Sequence, residues 1–458
     1  MEISTVKQVT TPNLLGATDN TPNEGISSVG GHAQFTEMHP PLDARSALVE
    51  SDRCYFCFDA PCIEACPTGI DVPNFIRMIS NHNPAGAAAV ILQENIMGGT
   101  CARACPVETL CEQSCVRNKE GDKPIQIGLL QRYATDTAMA AGETFFTREP
   151  DSGYSIGIIG GGPAGLSCAH RLAMLGHQVV IYESRQKTGG LNEYGLAAYK
   201  MLDNFAQREV EYITAIGNID IRHGMQLGDN ISLSEIQSAH DAVFLALGLG
   251  ACNMIGLTGE NSQGVQDAVD YIRQLRQAED LSQLPVGSRV VVIGGGMTAI
   301  DIASQTRLLG AREVTIAYRR GAENMKASVK EQEFAQTHDV RIMHWAQPVQ
   351  LLVEQQKVVG VEFKSTDPTA NQENFVLQAD MVFKAIGQLL EPIDANRNIQ
   401  FELEAGRLRV DAERRTSQFG IWAGGDCISD GDDLTVSAVQ DGKLAAQSIH
   451  KFLNGTRD

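Results

Sequence analysis

Eight of the chain's 11 cysteines fall between Cys54 and Cys115, in two halves that read Cys54-x2-Cys57-x4-Cys62-x3-Cys66-Pro67 and Cys101-x3-Cys105-Pro106-x4-Cys111-x3-Cys115. Thiolates at such short spacings can converge on a metal centre, and crowding of this kind means metal rather than disulfides where thiols stay reduced. The first residues, Met1-Glu2-Ile3-Ser4-Thr5, lack the basic start and apolar core of a signal peptide, and no run of 18 apolar residues exists. The expected location is therefore the cytoplasm, with no membrane span. Zinc also takes Cys-x2-Cys, but neither half pairs two such elements as zinc modules usually do, so the frame points to iron–sulfur clusters.

A second chemistry begins at Gly160-Gly161-Gly162-Pro163-Ala164-Gly165, which follows a short apolar run and opens a helical pattern, while Glu183 ends the next apolar run. Strand, glycine turn, helix and acid together form a dinucleotide fingerprint. The glycines let the backbone approach a pyrophosphate, the helix N-terminus stabilises its charge, and Glu183 accepts from a ribose hydroxyl. Gly294-Gly295-Gly296-Met297-Thr298-Ala299 repeats the turn with alanine in third place. At the end of the strand that follows, where an NAD site puts an acid, stand Arg319 and Arg320. They could hold the 2′-phosphate of NADP by charge-assisted hydrogen bonds, or they could be two solvated arginines. NADP(H) is favoured over NAD(H). The run Ala385-Ile386-Gly387 is expected to approach the nicotinamide side.

The elements that must position these motifs follow from periodicity. Apolar residues at spacings of three and four in Val72-Pro73-Asn74-Phe75-Ile76-Arg77-Met78-Ile79 and from Ala85 to Gln93, with a further helix beginning at Leu129, make residues 46–150 a helical module around the cysteines. From Tyr154 the texture changes to strand–glycine–helix–strand units. Ile156 to Ile159 goes with Val179-Val180-Ile181-Tyr182, and Val290 to Ile293 with Val314-Thr315-Ile316-Ala317-Tyr318. Buried runs recur at 242–248 and 381–387, each ending on a glycine. The expected fold is an α-helical iron–sulfur domain followed by two α/β Rossmann-like dinucleotide-binding domains, the second inserted in the first. Expected boundaries are a leader or strap over 1–45, the helical domain over 46–150, one dinucleotide domain from 151–252 and 381–458, and the other over 253–380.

Composition agrees. A chain of 458 residues has room for three domains, and 43% hydrophobic residues with 44 glycines fit an α/β protein with many tight turns. A formal charge of −19 argues against nucleic acid and means either a well-solvated surface or docking to a basic partner.

The whole cysteine frame, through Ile127-Gly128-Leu129-Leu130-Gln131, resembles the N-terminal domain of dihydropyrimidine dehydrogenase and, more loosely, the small subunit of bacterial glutamate synthase. The dihydropyrimidine dehydrogenase pattern implies that Cys54, Cys57, Cys62 and Cys115 hold one 4Fe–4S cluster. It implies that Cys66, Cys105 and Cys111 hold a second, with the side-chain oxygen of Gln131 as fourth ligand and Cys101 as a bystander. The glutamate synthase relatives tend to carry Glu at this place, so glutamine leans toward the pyrimidine branch. From the residues alone Gln131 reads as an exposed helix residue.

Phe419-Gly420-Ile421-Trp422-Ala423-Gly424-Gly425-Asp426 resembles the C-terminal signature of two-dinucleotide flavoproteins. That implies FAD at the first fingerprint and NAD(P)H at the second, with Gly425 and Asp426 at the ribityl chain. Leu434 and Thr435 would begin a helix aimed at the flavin. Gly189-Gly190-Leu191 resembles the flavin-contacting loop, and Lys200 stands where relatives have Arg, without the flanking prolines. Lys326 matches a basic position of dihydropyrimidine dehydrogenase, and Ala104, just before Cys105, would bring the second cluster against the flavin.

The resemblance covers roughly residues 46–452 and does not reach the FMN barrel of full-length dihydropyrimidine dehydrogenase. It implies an electron-input subunit of a hetero-oligomer, whose FMN-containing partner reduces uracil or thymine. Hydride would pass from nicotinamide C4 to flavin N5 and electrons would leave singly through the clusters, with no side-chain acid or base. The alternatives are a glutamate synthase small subunit, a free-standing diaphorase passing electrons to ferredoxin or quinone, and a scaffold holding flavin structurally. Cys168, Cys252 and Cys427 form no Cys-x-x-Cys, which argues against thioredoxin-reductase-like disulfide chemistry, and the ten histidines show no metal-ligand spacing.

Overall fold

The computed structural model describes residues 26–29, 32–369, 373–393 and 400–455. Between 44 and 150 the chain is helical, with helices Ala44–Ser51, Val72–Ser80, Pro84–Glu94, Gly98–Ala104 and Ile127–Ala140 and no strand. Local chemistry sets their starts. Asp43, Asp71 and Asn83 each accept from the amide three residues on, and Pro73 and Pro84 sit in first turns, where the missing N–H has no helical partner to lose. Phe75, Ile76, Ile91, Leu130 and Ala134 close the core between these helices, with Cys54, Cys62, Cys66 and Cys111 packed at its edge.

Two five-stranded parallel sheets follow. The first has the order Ile421–Ala423, Ala242–Leu245, Ser155–Ile159, Gln178–Glu183, Ile219–His223. The second has the order Val340–Met343, Glu313–Ala317, Arg289–Gly294, Met381–Ala385, Val265–Asp267. Every strand of the second lies in sequence between Ala242–Leu245 and Ile421–Ala423 of the first. The outgoing and returning chains pair antiparallel at Ala251–Cys252 and Gln388–Leu389.

One boundary differs from the sequence reading, which starts the return to the first unit at 381. Met381–Ala385 instead hydrogen-bonds to Arg289–Gly294 on one side and Val265–Asp267 on the other, inside the second sheet. Its buried run Met381, Val382, Phe383 suits the centre of either parallel sheet, so ladder pairing rather than pattern assigns it. A three-stranded antiparallel sheet, Ala346–Glu354, Lys357–Ser365 and Asn374–Gln378, also goes unanticipated; its Val361 and Phe363 cover Val291, Ile293 and Val382 of the second sheet.

Strands Ile26–Val29 and His32–Phe35 pair antiparallel, and Phe35 is buried edge-on to Tyr199 in the core of the second unit. Phe35 thus ties this stretch of the expected leader to the second unit; residues 1–25 and 30–31 lie outside the described residues. No helix among the described residues is long and apolar enough to cross a membrane.

Candidate functional site

Gly160 follows its strand at φ +100°, where a Cβ would meet the Ala246 carbonyl oxygen at 2.2 Å. A Cβ on Gly165 would meet the Gly160 oxygen at 2.0 Å, so only glycine lets the helix Pro163–Met174 start this tightly against the strand. The Gly161 N–H donates to Glu183 Oε2 and the Arg185 N–H to Glu183 Oε1, each at 2.8 Å. The Gly189 N–H donates to the Gly161 carbonyl at 2.8 Å, and Gly190 lies against Gly162, with Leu191 exposed beside it.

From the far end of the chain, the Gly425 N–H donates to Asp441 Oδ2 at 2.8 Å, and Arg414 holds the same carboxylate at 2.7 Å. Asp426 is half-buried, and that burial, with Asp433 nearby, pushes its carboxyl up to about 7. Leu434 caps the helix Thr435–Leu453, and Thr435 Oγ1 donates to Asn192 Oδ1 at 2.9 Å, next to the Gly190 turn. Gly442 lets this helix lie on Pro163–Met174, since a Cβ there would meet the Ala164 oxygen at 2.2 Å. Four separate segments thus meet at the carboxyl ends of the first sheet, where open parallel sheets take ligands. The cradle is one that side chains would fill.

The second unit repeats the arrangement. A Cβ on Gly294 would meet the Ala385 oxygen at 2.2 Å, just as Gly160 faces Ala246. Gly296 caps the helix Met297–Leu308, which carries Thr298 and buried Ala299 in its first turn. The Gly295 carbonyl accepts from the Lys326 and Ala327 amides at 3.0 and 3.2 Å, which draws Lys326 over the turn. Arg319 and Arg320 follow the strand Glu313–Ala317 and are exposed. The Gly387 carbonyl accepts from the Asn253 N–H at 3.0 Å and the Ile386 carbonyl from Asn253 Nδ2 at 3.2 Å, tying this strand end to the outgoing chain.

The clustered thiols fall into two groups. Cys54, Cys57, Cys62 and Cys115 act on one another, and burial followed by those neighbours pushes Cys62 up to about 12. The neighbouring Cys101 and then burial raise Cys105, with Cys111 and Cys66 adding to it, while burial raises Cys111, on which Cys66 and Cys62 also act. Thiols so raised stay protonated unless a cation stands among them, which metal ligation supplies. Among the described residues no three such side chains close on the point of a single ion. The fit to clusters rests on the donor set, two groups of soft sulfur donors on short loops turned by Pro67 and Pro106.

Gln131 is buried, not exposed. The helix Ile127–Ala140 starts beside the second thiol group, with Gly128 packed near Val107 and donating to Glu112 Oε1 at 3.2 Å. Gln131 lies three residues on along the same face, and its Nε2 donates to the Gly98 carbonyl at 2.7 Å. That commits the amide nitrogen and leaves the oxygen as the atom able to ligate. Buried Cys101 lies against Cys105, so the second group has two candidates for its fourth donor.

The groups occupy different places. Ile96 and Met97, just ahead of the helix ending at Ala104, are buried in the core of the first dinucleotide unit beside Ala164. Lys443 of the helix Thr435–Leu453 donates to the Thr68 carbonyl at 2.9 Å and pairs with Glu94 at 2.8 Å, while Thr68 Oγ1 lies 3.3 Å from Cys66 Sγ. The second thiol group is therefore seated on the first dinucleotide unit. Tyr55 and Phe58, flanking Cys57, are exposed, Phe58 to 99%, which puts the first group at a surface.

Lys200 departs from expectation. Its ammonium is buried between Asp301 at 2.9 Å and Glu331 at 2.6 Å, both on helices of the second unit, and the Tyr199 hydroxyl donates to Asp301 at 2.9 Å. Burial alone would lower it, but the two carboxylates outweigh that and hold it above the usual lysine range. The charge joins the two units. Sequence reasoning also misses Asn192, Asp441 and Lys443; for the last two the available signal is a charge on an otherwise apolar helix face.

Residues 31–143 match the family model for dihydropyrimidine dehydrogenase domain II, 4Fe-4S cluster, and residues 154–442 match that for pyridine nucleotide-disulphide oxidoreductase. The chain is 33% identical over 418 residues to the NAD-dependent dihydropyrimidine dehydrogenase subunit PreT of Salmonella typhimurium, covering 91% of this chain and 97% of that one. It is 32% identical over 447 residues to the glutamate synthase (NADPH) small chain of Escherichia coli, covering 92% and 94%. Thioredoxin reductase of T. acidophilum shares the fold over 67% of this chain and all of its own, with a TM-score of 0.54 and 21% identity. FprA of Mycobacterium tuberculosis, in complex with NADPH, shares it over 67% and 85%, with 0.55 and 18%. A match over most of the chain, on sheets that place both glycine turns where a dinucleotide lies, makes this protein a member of the pyridine nucleotide-disulphide oxidoreductase family, an NAD(P)-dependent oxidoreductase with an N-terminal 4Fe–4S domain.

Proposed function

We propose that the chain is the electron-input subunit of a dihydropyrimidine dehydrogenase, drawing on NAD(P)H and serving an FMN-containing partner that reduces uracil or thymine. The observation that carries this reading is the order of the sites: one thiol group seated on the first dinucleotide unit, the other at a surface beside Phe58. FAD and two 4Fe–4S clusters would supply the conversion between two-electron and one-electron chemistry. Everything else is positioning by this chain's residues. Gly160 to Gly165 admit a pyrophosphate at the start of the helix Pro163–Met174, and Glu183 takes a ribose hydroxyl. Gly190, Leu191, Gly425 and Asp426 border the flavin, and the positive end of the helix from Thr435 points toward it.

Cys54, Cys57, Cys62 and Cys115 would hold the outer cluster. Cys66, Cys105, Cys111 and Gln131 would hold the inner one, next to Ala104, with Cys101 not ligated. The nicotinamide unit, inserted in the flavin unit, would take its dinucleotide on Gly294 to Ala299, with Ala385-Ile386-Gly387 at the nicotinamide. Lys200 has no part in holding flavin. The reduced thiols that this scheme needs fit a cytoplasmic setting.

Copurification tests the reading. The complex should contain FMN and reduce uracil with NADPH or NADH; activity only with 2-oxoglutarate and glutamine would establish the glutamate synthase alternative, which the 32% identity to its small chain keeps in play. Arg319, Arg320 and Lys326 gather positive charge at the end of the second fingerprint, which favours NADPH, although the PreT relative is NAD-dependent by name. Replacing both arginines with alanine should weaken NADPH by about 10- to 100-fold, the worth of charged hydrogen bonds, and NADH far less. Equal losses in a binding titration would refute the phosphate role.

A further inference from the structure

Between the inner thiol group and the flavin unit lies a junction that the motifs do not reach. Glu209, on the helix Phe205–Thr214 of the flavin unit, is 1% exposed. Its Oε1 accepts from the Thr100 N–H at 2.9 Å and its Oε2 from the Thr100 hydroxyl, at the start of the helix Gly98–Ala104. A Cβ on Gly99 would lie 2.4 Å from the Phe205 ring and 2.9 Å from Glu209 Oε1, and one on Gly98 would lie 2.6 Å from Ile91 Cγ2. The two glycines allow this approach. On the opposite side the Gly98 carbonyl accepts from Gln131 Nε2. The Gly99 carbonyl accepts from Arg103, which forks onto Asp136 with both bonds at 2.8 Å and lies over the Phe205 ring. The first residues of this one short helix are thus clamped between a carboxylate of the flavin unit and the amide of Gln131.

We propose that Glu209 is a positioning residue for the inner cluster, acting through Gly98, Gly99 and Thr100 to fix the amide of Gln131 with its oxygen toward the metal. The proposal rests on the reading of Gln131 as a ligand. A carboxylate that only ended a helix could sit on the same helix, as Asp43 and Asp71 do for theirs. Here it comes from another unit, so the side of the protein that holds the flavin also fixes the non-cysteine ligand. A shift of the helix start by a fraction of an ångström would turn the Gln131 amide, and oxygen and nitrogen differ in whether they can bind iron at all.

The test compares Glu209→Gln, Glu209→Ala and Gln131→Ala in the iron-loaded protein, by iron content, FAD content and the EPR spectrum and midpoint potential of each reduced cluster. The expected result is that both Glu209 variants move the inner-cluster signal and potential in the direction of Gln131→Ala, more for alanine than for glutamine. The outer-cluster signal and FAD content should hold. If the alanine variant does not fold, the nearly isosteric Glu209→Gln decides. Wild-type spectra in the Glu209 variants beside an altered Gln131→Ala would overturn the link. Equal disturbance of both clusters and of FAD would also overturn it, by showing a merely structural role. A wild-type spectrum for Gln131→Ala would sink the ligand reading, and this link with it.

Discussion

Replacing Lys200 with methionine should destabilise the folded chain by about 3–5 kcal/mol, the cost of leaving a buried charge without its partner. Asp301 and Glu331 are 4% and 8% exposed and share the one ammonium, so removing it leaves two carboxylates facing each other away from water. The carboxylates must then take up protons or pull apart, and pulling apart loosens the helices Met297–Leu308 and Val329–Thr337 of the second unit, which also lose their tie to the first. Adding Glu331→Gln to Lys200→Met should recover part of the loss, because one buried charge goes with the other. Urea unfolding of the single and double variants measures both. A loss below about 1 kcal/mol for Lys200→Met would be the value of an exposed pair and would mean that the acids reach solvent.

Changing Cys105 to serine should remove the inner cluster and slow the passage of electrons to an acceptor served through the clusters, while NAD(P)H still bleaches the flavin. Iron and sulfide should fall to roughly half if, as proposed, two clusters are held by separate donor groups. Stopped-flow absorbance separates the two halves of the reaction: flavin reduction persists, and reduction of a cluster-served acceptor drops by at least the roughly 10- to 100-fold that losing a ligand's outer-shell partner costs. Cys101→Ala should keep both clusters although Cys101 is buried four residues before Cys105. Loss of the inner cluster in Cys101→Ala, with Gln131→Ala unchanged, would assign the fourth position to the thiol.

The backbone-dictated parts of this molecule were legible in the sequence. Gly160, Gly165 and Gly294 stand where a Cβ would strike a carbonyl oxygen, so glycine there reports geometry directly. Thiol spacing likewise separated the cysteine frame from Cys168 and Cys427, which are fully buried. What stayed hidden depends on partners far away in the chain. Lys200 looks like a flavin contact until Glu331, 131 residues on, is seen to hold it. Glutamine in a helix reads as solvent-facing, and only the carbonyl of Gly98 beneath it makes Gln131 a buried residue. The strand Met381–Ala385 carries the pattern of both sheets, and its hydrogen-bonding neighbours alone decide between them.

The path of the chain between the two sheets also sets an order of assembly. Cys54 to Cys115 leave the ribosome before either sheet, and the second unit, uninterrupted from Val265 to Ala385, can close as soon as it has emerged. The first sheet must wait, since Ile421–Ala423, Asp426 and the helix from Thr435 are made after the second unit. Until then the apolar strand Ala242–Leu245 is an open edge, the kind on which nascent chains stick to one another. The first glycine cradle is thus completed only when the strand Ile421–Ala423 pairs, and the same pairing shields this edge.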